Sequence, residues 1–232
     1  MDFSTKPILG MIHLAGDDPV KRALDEVAIY EEEGIDGVIV ENYHGTASDV
    51  VDVLRVLDTS ILVGVNILPN NFWISLPLAV KYKLDFVQLD HVAGVYESGS
   101  IDYNHYKFVK ERNKVLVLGG VWPKYYTPVS GSDLESDLLT GVEQAEAIVV
   151  TGAGTGQETP ISKVKKFRSV IGDHPLIVGA GLTVENCYSS LKLADGGIVG
   201  SVFKENGDTH KKIDRCRVTE FVDIVKEVRN SI

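Results

Sequence analysis

Cysteine is scarce in this chain. Two occur in 232 residues, Cys187 and Cys216. Their separation matches no zinc-binding spacing, and two thiols do not make a disulfide scaffold. They read as free thiols in a reducing compartment. Long apolar runs are also missing: none approaches the ~20 residues that span a bilayer. The opening Met1-Asp2-Phe3-Ser4-Thr5-Lys6 lacks the apolar centre of a signal peptide. These absences point to a cytoplasmic protein with no transmembrane segment. Positive charge is in deficit, with 23 Lys and Arg against 33 Asp and Glu and a formal net charge of −10. No basic run stands out, which argues against nucleic acid and anionic membranes as partners. A local basic site for one phosphate is compatible with this balance. No Pro/Gly/Ser-rich linker divides the chain, so residues 1–232 read as one domain.

What the chain does contain is alternation. Apolar, β-branched runs of about six residues are each followed by a longer amphipathic stretch, as in repeated βα units. The pattern predicts strands near 7–13, 35–41, 61–67, 85–90, 114–120, 146–151, 175–179 and 196–200. It predicts helices near 18–33, 47–57, 72–83, 103–112, 133–144, 160–171, 183–193 and 214–229. Eight such units make either an open doubly wound sheet or a closed barrel. A doubly wound sheet that binds a dinucleotide carries Gly-x-Gly-x-x-Gly after its first strand, where this chain has Gly10-Met11-Ile12-His13. Polar residues also end nearly every strand instead of gathering at one switch point. The expected fold is therefore a single (β/α)8 TIM barrel.

Two glycine turns near the C-terminus carry the strongest functional signal. Pro175-Leu176-Ile177-Val178 runs into Gly179-Ala180-Gly181, and Gly196-Gly197-Ile198-Val199 runs into Gly200-Ser201. Glycine lets backbone N–H groups approach an anion, and a following helix N-terminus favours negative charge. Strands 7 and 8 are where such barrels commonly bind phosphate. Gly179, Gly181, Gly200 and Ser201 are thus the candidate phosphate-binding residues, and a small phosphorylated molecule is the expected ligand.

Chemistry in a barrel sits at the C-terminal strand ends. Barrel strands alternate between lumen and helices, so parity sorts the residues there. Gln88 and Asp90 share a face with Phe86, and burying them against helices is costly, so that face is read as the lumen. The same parity turns Ile39 with Glu41 inward, and Leu9 with Met11 and His13. His13, Glu41 and Asp90 are candidate acid/base groups, since imidazole and carboxylate can be tuned toward neutral pH. Each also has a plain structural reading, as a hydrogen-bonded or ion-paired core lid. His91 falls on the outer face. Lys124, after strand 5, suits an anion or, if desolvated, a nucleophile. Asn42, Asn66, Thr151 and Trp122 are candidates for positioning substrate, with turn stabilisation or barrel capping as alternatives. The glycine-rich Thr151–Pro160 segment reads as a loop able to cover a substrate. The sequence requires no cofactor. No tight ligand spacing marks a metal site, though His13, Glu41, Asp90 and His91 are chemically able to hold a divalent ion. Any helix face can supply a homo-oligomer interface.

The pieces resemble the BtpA/SgcQ family. They are Gly10-Met11-Ile12-His13-Leu14, Asp36–Asn42, Gly64-Val65-Asn66-Ile67-Leu68, Ile148–Gly152 with Thr155-Gly156, Val178–Gly181, Asp195–Ser201 and Lys204–Asp208, spanning residue 7 to about 225. The resemblance implies a phosphate-binding barrel of the ribulose-phosphate type. It implies either a nucleosidase-like or sugar-operon enzyme, or a photosystem I biogenesis factor that retains the barrel. After strand 5 the family pattern has Ala-Asp-Val, then Lys and often His. This chain has Gly119-Gly120-Val121, keeps Lys124 and places Tyr125 where the histidine would be. If that aspartate is catalytic, its role is lost here or taken by Asp90. Isomerase, lyase and nucleosidase chemistry all remain open at this level.

Overall fold

The computed structural model describes residues 1–231. Eight parallel strands close into a barrel in sequence order, β1 pairing with β8. They are β1 (Ile8–Ile12), β2 (Gly37–Glu41), β3 (Leu62–Asn66), β4 (Phe86–Leu89), β5 (Leu116–Gly120), β6 (Ala147–Val150), β7 (Leu176–Val178) and β8 (Gly196–Val199). The helices between and after them are α1 (Pro19–Glu33), α2 (Ala47–Val56), α3 (Phe72–Tyr82), α4 (Tyr103–Asn113), α5 (Leu134–Gln144), α6 (Ile161–Ile171), α7 (Cys187–Leu191) and α8 (Arg215–Ser231). This is the (β/α)8 TIM barrel expected from the alternation.

Local chemistry explains most boundaries. Asp18, Thr46, Asn71, Asp102 and Asp133 each cap a helix by accepting a backbone N–H from its first turn. Period-2 alternation splits the core in two. Leu9, Met11, Ile39, Phe86, Leu118, Val149, Ile177 and Ile198 fill the lumen, while the larger cluster lies between strands and helices.

One helix differs from expectation. The stretch 183–193 is helical only over Cys187–Leu191. Gly181 has φ +65°, and Asn186 ties the loop by donating to the Gly181 carbonyl while accepting from the Thr183 N–H. That Asx-type link consumes the first predicted turn of helix.

The N-terminal end of the barrel carries a repeat. Asp36, Asp85, Glu146 and Asp195 stand just before β2, β4, β6 and β8. Each accepts a backbone N–H from the first or second residue of the preceding odd-numbered strand: Ile8 at 2.7 Å, Val63 at 2.8 Å, Val117 at 2.7 Å and Leu176 at 2.9 Å. Three also hold a cation, in the pairs Arg229–Asp36, Lys110–Glu146 and Arg168–Asp195. These carboxylates satisfy strand ends that have no ladder partner.

Candidate active site

A cavity of about 690 Å³ opens at the C-terminal end of the barrel, lined from all eight strand–loop junctions. Of the residues singled out by sequence, His13, Glu41, Asp90, Lys124, Thr151, Gly179, Gly181, Gly200 and Ser201 line it.

At its floor, β2, β3 and β4 bring two carboxylates together through one amide. The Asn66 Nδ2 donates to Glu41 Oε1 at 2.8 Å and, more weakly, to Asp90 Oδ1 at 3.4 Å. Register explains the meeting, because Glu41 and Asn66 are direct partners across β2 and β3. Neither carboxylate has an ion-pair partner among the described residues. Their surroundings differ. Asp90 also accepts from the Tyr126 hydroxyl at 2.8 Å and the Asn70 N–H at 3.1 Å. Glu41 is buried and pushed up to about 7, first by burial and then by the Asp90 carboxylate, with Lys124 and the Asn66 hydrogen bond opposing. A buried, hydrogen-bonded carboxyl poised near neutrality beside a second carboxylate suits acid/base chemistry.

His13 packs beside this pair. Burial, then the positive charge of Lys204, holds its imidazole well below the ordinary range, so it stays neutral. Its Nδ1 is buried without a hydrogen-bond partner. Its ring lies against Gly200, where a Cβ would sit 2.9 Å from His13 Cε1. Behind it, Lys204 and Glu26 form a buried ion pair at 2.8 Å, joined by Arg22.

Gly120 explains the strand-5 departure. A Cβ there would lie 1.9 Å from the Asp90 carbonyl oxygen. The chain at Asp90 therefore occupies the space that a strand-5 side chain needs, and Gly120 O accepts the Val92 N–H at 3.0 Å.

Two predicted positioning residues are turned away. The Trp122 indole donates to Asp137 at 2.8 Å and lies outside the cavity lining, because the backbone at Trp122 has φ +47°. Asn42 clamps the Leu68 backbone, accepting its N–H at 2.7 Å and donating to its carbonyl at 3.3 Å, and so secures the loop after β3. Thr151 lines the cavity, but its hydroxyl accepts the Lys124 N–H at 2.7 Å. Lys124 Nζ donates to Thr155 Oγ1 at 3.0 Å, while Tyr125 OH accepts the Thr155 N–H. The Thr151–Pro160 loop is therefore tied to the β5 loop. It is tied to the β7 loop as well, through Thr159 and the Ala180 carbonyl at 2.9 Å. His91 lies outside the lumen as parity predicts. It bonds Tyr103 OH, which itself donates to the Gly94 carbonyl, so His91 Nδ1 carries the proton. Burial takes His91 down to about 4.

At the β7 and β8 ends, no backbone carbonyl among the described residues accepts the N–H of Gly181, Gly200, Ser201 or Val202. The helix-start contribution expected at Gly181 is absent, since α7 begins only at Cys187. What these turns offer an anion is free N–H groups on backbone without bulky side chains. Arg217, in the first turn of α8, reaches the same cavity and was not legible in sequence, where it reads as one exposed helix position. Tyr126 reaches Asp90 because of how the β5 loop folds back, a contact that no local pattern in the sequence signals. Among the described residues no three His, Cys, Asp or Glu side chains converge on a metal-sized site, and no helix is long and apolar enough to cross a membrane.

The BtpA family profile matches residues 4–227, so the chain belongs to the BtpA family. An uncharacterized protein of Pyrococcus abyssi is 30% identical over 99% of both chains. The photosystem I biogenesis protein BtpA of Synechocystis is 24% identical over 95% of this chain and 88% of its own. Among solved structures, phosphoribosyl anthranilate isomerase from Thermus thermophilus aligns with a TM-score of 0.67 at 14% identity, over 96% of this chain and 99% of that one. Thiamine phosphate pyrophosphorylase from Pyrococcus furiosus aligns at 0.62 and 16% identity, over 97% of each. At such identities these neighbours speak to the fold alone.

Proposed function

From a BtpA-family barrel with this cavity, we propose an enzyme that carries out proton-transfer chemistry on a phosphorylated sugar or nucleotide-like molecule. The observation that carries the reading is the Glu41–Asn66–Asp90 unit, two carboxylates without cations at the floor of a cavity that also contains free N–H groups. A purely structural pair would have been neutralised, as three of the four carboxylates at the opposite end are. In this reading the turns at Gly179–Gly181 and Gly200–Ser201 hold the phosphate, with Arg217 and Lys124 as nearby cations. Protonated Glu41 gives its proton to a developing oxyanion or leaving group, and Asp90 accepts one from carbon or water. His13, neutral, donates or accepts a hydrogen bond without adding charge. That division of labour fits an isomerase, a lyase or a nucleosidase. The reading is supported by a fold neighbour, phosphoribosyl anthranilate isomerase, whose structure is a complex with a reduced deoxyribulose 5-phosphate derivative.

A second reading is an assembly or biogenesis factor that retains the barrel, favoured by the name of the Synechocystis relative. A thermal-shift screen against sugar phosphates, nucleotides and nucleosides, followed by a turnover assay on any stabilising compound, separates the two. A ligand that binds only the folded chain raises Tm by mass action. The enzyme reading expects a phosphate-dependent shift that Gly200→Val removes while circular dichroism stays unchanged. No shift across the panel, with a protein partner recovered by pull-down, would favour the second reading.

A further inference from the structure

The cavity is chemically polarised. Its β7–β8 side presents hydrogen-bond donors, the backbone N–H groups named above. Its β2–β4 floor presents acceptors. Glu41 and Asp90 supply carboxylate oxygens to the lining, and next to them two amide oxygens, Gln88 Oε1 and, behind the lining, Asn66 Oδ1, are buried with no hydrogen-bond partner. Asn66 is 1% exposed, and its Nδ2 faces both carboxyl groups. Gln88 lines the same cavity. Buried acceptors without donors are costly, and a donor-rich ligand lying on Gln88 and the two carboxyl groups would offset that cost.

Resting on the phosphate-cradle reading above, we infer that the ligand is a sugar phosphate whose hydroxyl groups point down onto the Glu41–Gln88–Asp90 floor, not a nucleotide whose base is buried there. Adjacent hydroxyls supply several donors at close spacing, and each also accepts a proton from Glu41 when that group acts as an acid. A nucleobase would bring ring nitrogens and carbonyl oxygens against oxygens. It would also need a flat face to stack on. Trp122 is turned outward, Tyr126 is held by Asp90 and packed against His91 and Tyr96, and the other tyrosines of the lining, Tyr43 and Tyr125, are engaged with Thr155 of the loop after β6. A site built to bond hydroxyls discriminates strongly against analogues that lack them.

Calorimetric titration of the full chain tests this, using inorganic phosphate, glycerol 3-phosphate, ribose 5-phosphate, fructose 6-phosphate, AMP and the free sugars. At least one sugar phosphate should bind about tenfold tighter than inorganic phosphate, the increment of one to two good hydrogen bonds. Gln88→Leu should erase that gain and leave the affinity for inorganic phosphate unchanged. Gln88→Met repeats the test with a different shape, and a Tm no lower than the parent's confirms that each variant is folded. The inference is overturned if both variants keep the sugar increment, or if AMP outbinds every sugar phosphate. Phosphate binding that Gly200→Val abolishes, with no sugar increment, overturns the floor and keeps the cradle. Free sugars bound in a Gln88-dependent way, with no response to phosphate, keep the floor and overturn the cradle. A panel in which nothing binds overturns both.

Discussion

The two ends of the barrel use the same functional group for opposite purposes. At the N-terminal end, Asp36, Asp85, Glu146 and Asp195 each take a backbone N–H from the neighbouring strand, and three of them also take a cation. At the C-terminal end, Glu41 and Asp90 face each other across Asn66 with no cation between them. The first arrangement lowers the energy of the fold. The second raises it, since two carboxylates close together in a buried site disfavour each other's charge. A chain that neutralises its acids so regularly at one end leaves the other pair exposed to repulsion, and that contrast is the physical basis for placing chemistry there.

The sharpest test removes one member of the upper pair. Glu41→Gln should lower turnover of the substrate found in the screen by about 10²–10⁴-fold with no loss of Tm. A variant that loses Tm but keeps its rate would put Glu41 with the structural acids.

Stability against pH breaks the comparison next. Glu41 is held at about 7 in the folded chain against an ordinary 4.5. As pH rises, the unfolded chain releases this proton first, so Glu41 erodes stability between about pH 4.5 and 7, by on the order of 3 kcal/mol in total. Glu41→Gln has no such proton. Its stability relative to the parent, from urea titrations across pH 4.5–8.5, should climb through that window and level off above it. His13, depressed when folded, acts in the other sense: its contribution is full above about pH 6.5 and is lost as pH falls below it. It is common to both proteins and cancels in the difference.

At the lower end, Asp195→Ala should cost about 2 kcal/mol, because it orphans the Leu176 N–H and takes the only carboxylate from Arg168, which keeps backbone carbonyl acceptors alone, and it should leave ligand affinity unchanged. Asp85→Asn should cost least, about 1 kcal/mol or below. Asp85 holds no cation among the described residues, and an amide oxygen still accepts the Val63 N–H. Denaturant midpoints with unchanged slopes check both. Equal costs at the two positions would mean that the cations contribute nothing.

Local periodicity is legible in the amino-acid sequence, and the features it governs were settled at that level. Alternation along each strand separates lumen from helix face. That sufficed to place Glu41, Asp90 and His13 inward and His91 outward, and to predict eight strands in order. Capping residues set most helix starts for the same local reason. Everything that depends on two distant segments meeting had to wait for the folded chain. Asn66 bridges two carboxylates because β2 and β3 share a register and the β4 end folds over them. Gly120 has to be glycine because the Asp90 carbonyl lies where its side chain would be. Trp122 and Asn42, which the sequence leaves between positioning substrate and a structural role, point away from the cavity because of a left-handed backbone at one and a loop needing a clamp at the other. The missing first turn of α7 has the same origin, an Asx-type link that competes with the helix. Periodicity is a property of one segment; a site is a property of several, and its geometry exists only once the barrel has closed.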